Sequence, residues 1–345
     1  MEKKNLWTVY NEEQLKELEK VNQGYKAFLD AGKTERECVT ETVRQARAAG
    51  YLDLEEVIQK KQELKAGDKV YATYMKKAIA LFQIGKRPLE EGMNILGAHI
   101  DSPRMDLKQN PLYEDSEMAY LDTHYYGGIK KYQWVTIPLA IHGVVAMKDG
   151  TTKNIIIGEE ENDPVFVVTD LLVHLSHELM EKKASEVVEG ENLDLLFGSK
   201  PLKGEEKDAV KAGVLQLLKE KYDMEESDFQ SAELEIVPAG RARDCGIDRS
   251  MILAYGQDDR VCSYTSLAAM LEAGDVERTA CCLLVDKEEI GSVGATGMHS
   301  HFFENAVAEL LYLMGEKEEI KVRRTLARSK MISSDVGAAY DPMYA

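Results

Sequence analysis

After residue 250 the chain alternates between short apolar runs and helical stretches: MILAYG, a helix over 263–273, TACCLLVD, a helix over 302–314, and ARSKMISSD. No other feature constrains the fold as strongly. Such alternation builds an α/β sheet with helices laid on its faces. The N-terminal part supplies more of the same. Leu15, Leu18, Val21, Tyr25, Phe28 and Leu29 recur at helical spacing among charged residues, which predicts an amphipathic helix over 11–30. Thr34 and Glu37 form a capping-box pair that opens a second helix ending near Gly50. KVYATY and KKAIALFQIG are rich in β-branched and aromatic residues, and NILGAHID reads as a short buried strand ending in polar residues.

Between about 106 and 243 the character changes. WVTIPLAIHGVVAMKDGTTKNIIIG holds two strand-like runs joined at Lys148-Asp149-Gly150, the chemistry of a hairpin turn. VFVVTDLLVHL adds an apolar run, KDAVKAGVLQLLKEKY a helix, and AELEIVPA another strand. A β-rich domain over 106–243, inserted into an α/β domain made of 1–105 and 244–345, accounts for this order.

Composition narrows the function. Hydrophobic residues make up 44% and charged residues 30% of 345, which suits a soluble chain with a sizeable core. A net charge of −18 disfavours nucleic acid and anionic membrane as partners. The N-terminus lacks the apolar core of a secretion signal, and no run of about 18 apolar residues occurs. Five cysteines without CxxC spacing fit a reducing compartment, so a cytoplasmic location is expected.

Charged and imidazole side chains gather where predicted strands end, the place where open α/β sheets bind ligands. In AHIDSPR, His99 and Asp101 are two apart and face the same way on extended backbone, so a carboxylate can hold the imidazole's second nitrogen. Asp258 and Asp259 stand at a strand–helix junction in YGQDDRVCSY; helix capping explains either, and a bridge between two metal ions explains one of them. Asp335 follows MISS. In LLVDKEEIGS, Glu288 and Glu289 are like charges beside an apolar strand. One can coordinate an ion while the other takes a proton from a water that the ion acidifies. A solvated acidic turn is the bland alternative. Carboxylates with imidazole suit zinc, cobalt or manganese, and two such ions can clamp both oxygens of a hydrolysis.

AHIDSPR, THYYGGIKKYQW, YGQDDRV, DKEEIGSVGA and SSDVGAAYDP, in that order, resemble the M18 aminopeptidases, which include aspartyl aminopeptidase and aminopeptidase I. The resemblance covers about residue 95 to the end. It implies a zinc-peptidase-like mixed sheet flanked by helices, with an inserted β-rich dimerisation or lid domain. It also implies a two-metal exopeptidase that releases single residues from peptides with a free N-terminus. Carried over, His99 and Asp335 bind one ion, with Asp101 behind the histidine. Asp259 bridges both ions, since Asp258 falls where the family often has leucine. Glu288 is the general base and Glu289 binds the second ion. His174, in LLVHLS, reaches a neighbouring subunit's site, and the assembly is a dimer-based dodecamer. The ions expected are two zincs, with cobalt or manganese as alternatives.

Two departures shape the expectation. YYGGIKKYQW differs from the residues typical of aspartyl aminopeptidase, which leaves neutral or apolar N-terminal residues open beside acidic ones. The family supplies a further histidine to the second ion from near its C-terminus, whereas no histidine follows His301 here. His299 and His301, in MHSHFFEN, read as exposed helix-start residues. The expectation is therefore a shortened or incomplete chain of a longer enzyme. The alternatives are a non-catalytic shell or binding subunit of the same fold, or a glycosidase acid–base pair, which leaves His99 and Asp101 unexplained.

Overall fold

The computed structural model describes residues 4–344. The helix-start signals act as their sequence implies. Asn11 and Gln14 exchange side-chain-to-backbone hydrogen bonds at the head of Glu12–Ala31, and Thr34 and Glu37 do the same at the head of Glu35–Ala48. The chain divides into two compact units, one of 1–101 with 241–345 and one of 102–240.

The first unit is built on a six-stranded mixed sheet. Its order is Leu52–Asp53, Lys69–Tyr74, Ala78–Gln83, Ala280–Val285, Asn94–His99 and Lys330–Ser333. The last three strands run parallel, and the first two of these pair Val285 with His99. Ser333 lies level with Gly97, and Ser334 N–H donates to the Gly97 carbonyl at 2.8 Å. The ends of all three strands therefore come together at His99.

The central strands are apolar on both faces, which is why they read as continuous apolar runs rather than as alternation. Ala80, Phe82, Cys281 and Leu283 pack against the helices Phe302–Leu313 and Glu319–Arg328. Ile79, Leu81, Cys282 and Leu284 face Phe28, Val39 and Leu267 on the opposite side. These two apolar layers supply the burial that fixes the strand ends in place. MILAYG departs from the expectation: Met251–Leu253 stays out of the main sheet and pairs only with Arg243–Cys245 in a two-stranded ribbon. A run of three strand residues with Met251 and Leu253 exposed has too little apolar face to be covered on both sides.

The second unit is a seven-stranded antiparallel sheet. In order it holds Thr152–Ile157, Leu139–Ala146, Ala232–Pro238, Arg104–Asp115, Met118–Tyr126, Leu195–Gly198 and Val167–Val168. The Lys148-Asp149-Gly150 turn joins its first two strands, with Gly150 at φ +84° and the Asp149 carboxylate accepting the Thr151 N–H at 2.9 Å. The helix Ala209–Tyr222 buries Val210, Val214 and Leu218. Of VFVVTDLLVHL only Val167–Val168 is strand; Leu171, Leu172, Val173 and Leu175 are exposed.

Candidate metal centre

His99 is the last residue of its strand and is 3% exposed. The Ser263 hydroxyl donates to its carbonyl at 2.6 Å, and Arg260, buried in the following helix, donates to the carbonyls of Ile100 and Lys33. These bonds lock strand end to helix start. His99 Nδ1 lies 3.0 Å from the Asp101 carbonyl and 3.3 Å from Asp101 Oδ1. In the neutral imidazole the proton therefore sits on Nδ1, leaving the Nε2 lone pair free to bind a ligand.

Nε2 faces carboxylates on three separate segments. Asp258 Oδ1 is 3.3 Å away, Glu288 Oε2 3.7 Å and Asp335 Oδ1 3.9 Å. Two groups with ligand atoms within 4.8 Å of one another share this imidazole: His99 with Glu288 and Glu289, and His99 with Asp258 and Asp335. Asp101, wholly buried, accepts the Glu288 N–H on one oxygen and the Glu289 N–H on the other, each at 3.2 Å. One aspartate thus orients the histidine and fixes the backbone of both glutamates.

Asp258 and Asp259 lie in different surroundings. Both have non-helical backbone angles inside Gln257–Glu272. It is Asp258 that faces His99 from solvent. Asp259 is wholly buried, its carboxylate approached by the Cys262 thiol. No pattern in QDDR distinguishes the two, because the distinction lies in backbone angles. His174 belongs to the second unit, on the exposed stretch beside Val173 and Leu175, whereas the residues around His99 all belong to the first. His299 and His301 are exposed, and His301 Nδ1 lies 3.3 Å from Glu304.

The electrostatics call for a cation. Burial first, then the Asp258 charge, with His99 opposing, push the Glu289 carboxyl up to about 7. Asp259 is likewise raised to about 6, chiefly by burial and with Asp335 and Asp258 adding to it, against the Cys262 thiol and His99. Burial alone would depress His99, but the hydrogen bond and charge of Asp101, with Asp259 and Glu288, outweigh it and hold the imidazole at about 9. Carboxylates crowded around one imidazole and an all N/O donor set fit a divalent ion.

A profile of the family described as aminopeptidase I zinc metalloprotease (M18) matches residues 28–345. The chain belongs to the M18 aminopeptidase family. An M18 member from Clostridium acetobutylicum, a probable M18 family aminopeptidase 1, is 59% identical over 344 residues, covering 99% of this chain and 74% of that protein. The crystal structure of an M18 aminopeptidase from Thermotoga maritima superposes with a TM-score of 0.92 at 46% identity, over 100% of this chain and 74% of that one. The mApe1 dodecamer of S. cerevisiae shares the fold at 20% identity, with a TM-score of 0.73 over 95% of this chain and 74% of that one. This M18 chain is thus a metal-dependent hydrolase of the aminopeptidase class, acting on peptides. Among the described residues no helix is long and apolar enough to cross a membrane.

Proposed function

We propose that the chain removes single N-terminal residues from peptides with two divalent ions, zinc in the first instance, held around His99. The observation that carries this reading is the convergence on His99 Nε2 of Asp258, Glu288 and Asp335, with Glu289 in the same group. Asp335 and His99 would hold one ion and Glu289 the other. Asp258 would contribute its carboxylate to the ions, since it faces His99 and is the leading charge acting on Glu289. Bound there, the ions supply Lewis acidity toward the scissile carbonyl and a nucleophile at neutral pH.

Glu288 acts as general base. It is half exposed, so a substrate can reach it, and its backbone is fixed by Asp101. Asp101 keeps the His99 tautomer and the direction of both glutamates. Neutral, apolar or acidic N-terminal residues are the candidates for release.

The exposed apolar stretch Leu171, Leu172, Val173 and Leu175 around His174 supports a homo-oligomer in which this stretch is covered by another copy, and a dodecamer is the arrangement proposed. The cytoplasm is the proposed site of action. Hydrolysis of Leu, Met, Asp and Glu nitroanilides with and without added zinc or cobalt tests the reading. Release that requires an added ion is expected; metal-loaded protein inert toward all four would overturn it in favour of a non-catalytic subunit.

A further inference from the structure

Two residues before Glu288 stands another carboxylate to which the metal-centre reading gives no task. Asp286 is the first residue after the Ala280–Val285 strand and is wholly buried, and Thr296 is 5% exposed. Asp286 Oδ2 accepts the Thr296 hydroxyl at 2.5 Å, and Oδ1 accepts the Lys287 N–H at 2.8 Å. Its own N–H donates to the Thr296 carbonyl at 3.4 Å. Two hydrogen bonds thus close the segment 287–295 at its base.

Inside the closed segment the chain makes turns that ordinary residues resist. Lys287 has φ +73° and Gly291 φ +90°, and the Ser292 N–H donates to the Lys287 carbonyl at 2.6 Å. The returning strand of the loop presses close: a Cβ on Gly297 would stand 2.3 Å from the Ser292 carbonyl oxygen. Glu288 and Glu289 sit at the head of this loop, and Asp101 takes both of their N–H groups. Asp101 fixes the backbone of the pair; the Asp286–Thr296 bonds fix where the loop leaves and returns. Asp286 contributes no ligand atom to the groups around His99.

We propose that Asp286 and Thr296 are positioning residues, whose hydrogen bonds hold the 287–295 loop so that Glu288 and Glu289 point at His99. This rests on the reading of that pair as base and ligand.

Thr296→Val and Thr296→Ser test it, because valine keeps the volume and loses the hydroxyl while serine keeps the hydroxyl. Amide exchange of peptides covering 286–297 is measured in the metal-free chain, cobalt(II) affinity by titration, and kcat and KM with an aminoacyl nitroanilide. Thr296→Val is expected to speed exchange in those peptides alone. It is also expected to weaken cobalt binding and lower kcat by about tenfold or more, the scale of outer-shell substitutions at metal sites, with KM nearly unchanged. Thr296→Ser behaves as the parent protein. Unchanged exchange and cobalt affinity in Thr296→Val, or a Thr296→Ser as impaired as Thr296→Val, would overturn the proposal. A parent protein that takes up no cobalt counts against the metal-centre reading instead, and the exchange comparison still decides whether the bonds hold the loop.

Discussion

Asp258 Oδ1 stands 3.3 Å from His99 Nε2, while the neighbouring Asp259 is wholly buried against the Cys262 thiol. A ligand must present its oxygen to the ion, and only Asp258 shares a group with His99 and Asp335. Asp258→Asn is therefore expected to lower the zinc content of the purified chain and its activity by at least about 100-fold, the scale on which loss of a charged contact in a catalytic site is felt. Asp259→Asn keeps the volume and leaves the zinc content near that of the parent. Metal analysis of the two variants separates them, and the opposite pattern would return the ligand role to Asp259.

The same crowding sets a pH dependence for the metal-free chain. Glu289 at about 7 and Asp259 at about 6 lie above the usual carboxylate range, so the folded state binds protons there that the unfolded state has already released. Stability falls as pH rises from about 4 through 7. His99, held at about 9, contributes stability that is fully present below its unfolded value near 6.5 and is lost as pH rises through 9. All three act in one direction. The melting temperature of the chelator-treated chain should drop between pH 5 and pH 9, and the rise in melting temperature on adding zinc should be larger at pH 8 than at pH 6, because ligands must be deprotonated to bind. A melting temperature flat across that range would contradict the electrostatic account.

Much of this was legible in the residues. The α/β class followed from TACCLLVD and its helical neighbours because strands buried on both faces must be apolar throughout, a pattern local enough to read. The Thr34–Glu37 cap was readable for the same reason: its chemistry is contained in four residues. MILAYG misled because composition alone does not reveal whether a short strand joins a sheet or forms a ribbon. At the metal centre, a strand-end rule marked His99, Glu288, Glu289 and Asp335, since side chains at strand ends converge by topology. The choice within Asp258-Asp259 depended on dihedral angles that no residue pattern encodes. The Asp286–Thr296 bonds join residues ten apart through a loop of unusual backbone, which spacing does not announce.

The buried ion pair of Lys77 and Glu35, whose charges also act on Asp286, gives a stability test. Lys77 Nζ lies 2.7 Å from Glu35 Oε1, with side chains 5% and 0% exposed. Removing one partner strands a charge where water cannot reach it. Lys77→Met is expected to destabilise the chain by about 3–5 kcal/mol, measured by urea unfolding. The double variant Lys77→Met with Glu35→Gln should cost less than the sum of the two single changes, because contacting residues do not add. Additive losses would show that the two charges do not depend on each other.

Glu288 and Glu289 are adjacent, yet their surroundings differ enough to predict opposite phenotypes. Glu288 is half exposed and reaches to 3.7 Å from His99 Nε2, a position from which it can take a proton without being needed to hold an ion. Glu289 is partly buried and raised to about 7 by burial and by Asp258, so its ionised form needs a cation beside it. Glu288→Gln is accordingly expected to retain its metal and to lose about 10²–10⁴ in kcat, the range of general-base removal, with KM little changed. Glu289→Gln removes a charge from the ion rather than from the proton transfer, so metal content should fall together with activity. Excess zinc should then recover part of the Glu289→Gln activity and none of the Glu288→Gln activity. Zinc titration with kcat as the readout decides this, and recovery of Glu288→Gln by zinc would exchange the two assignments.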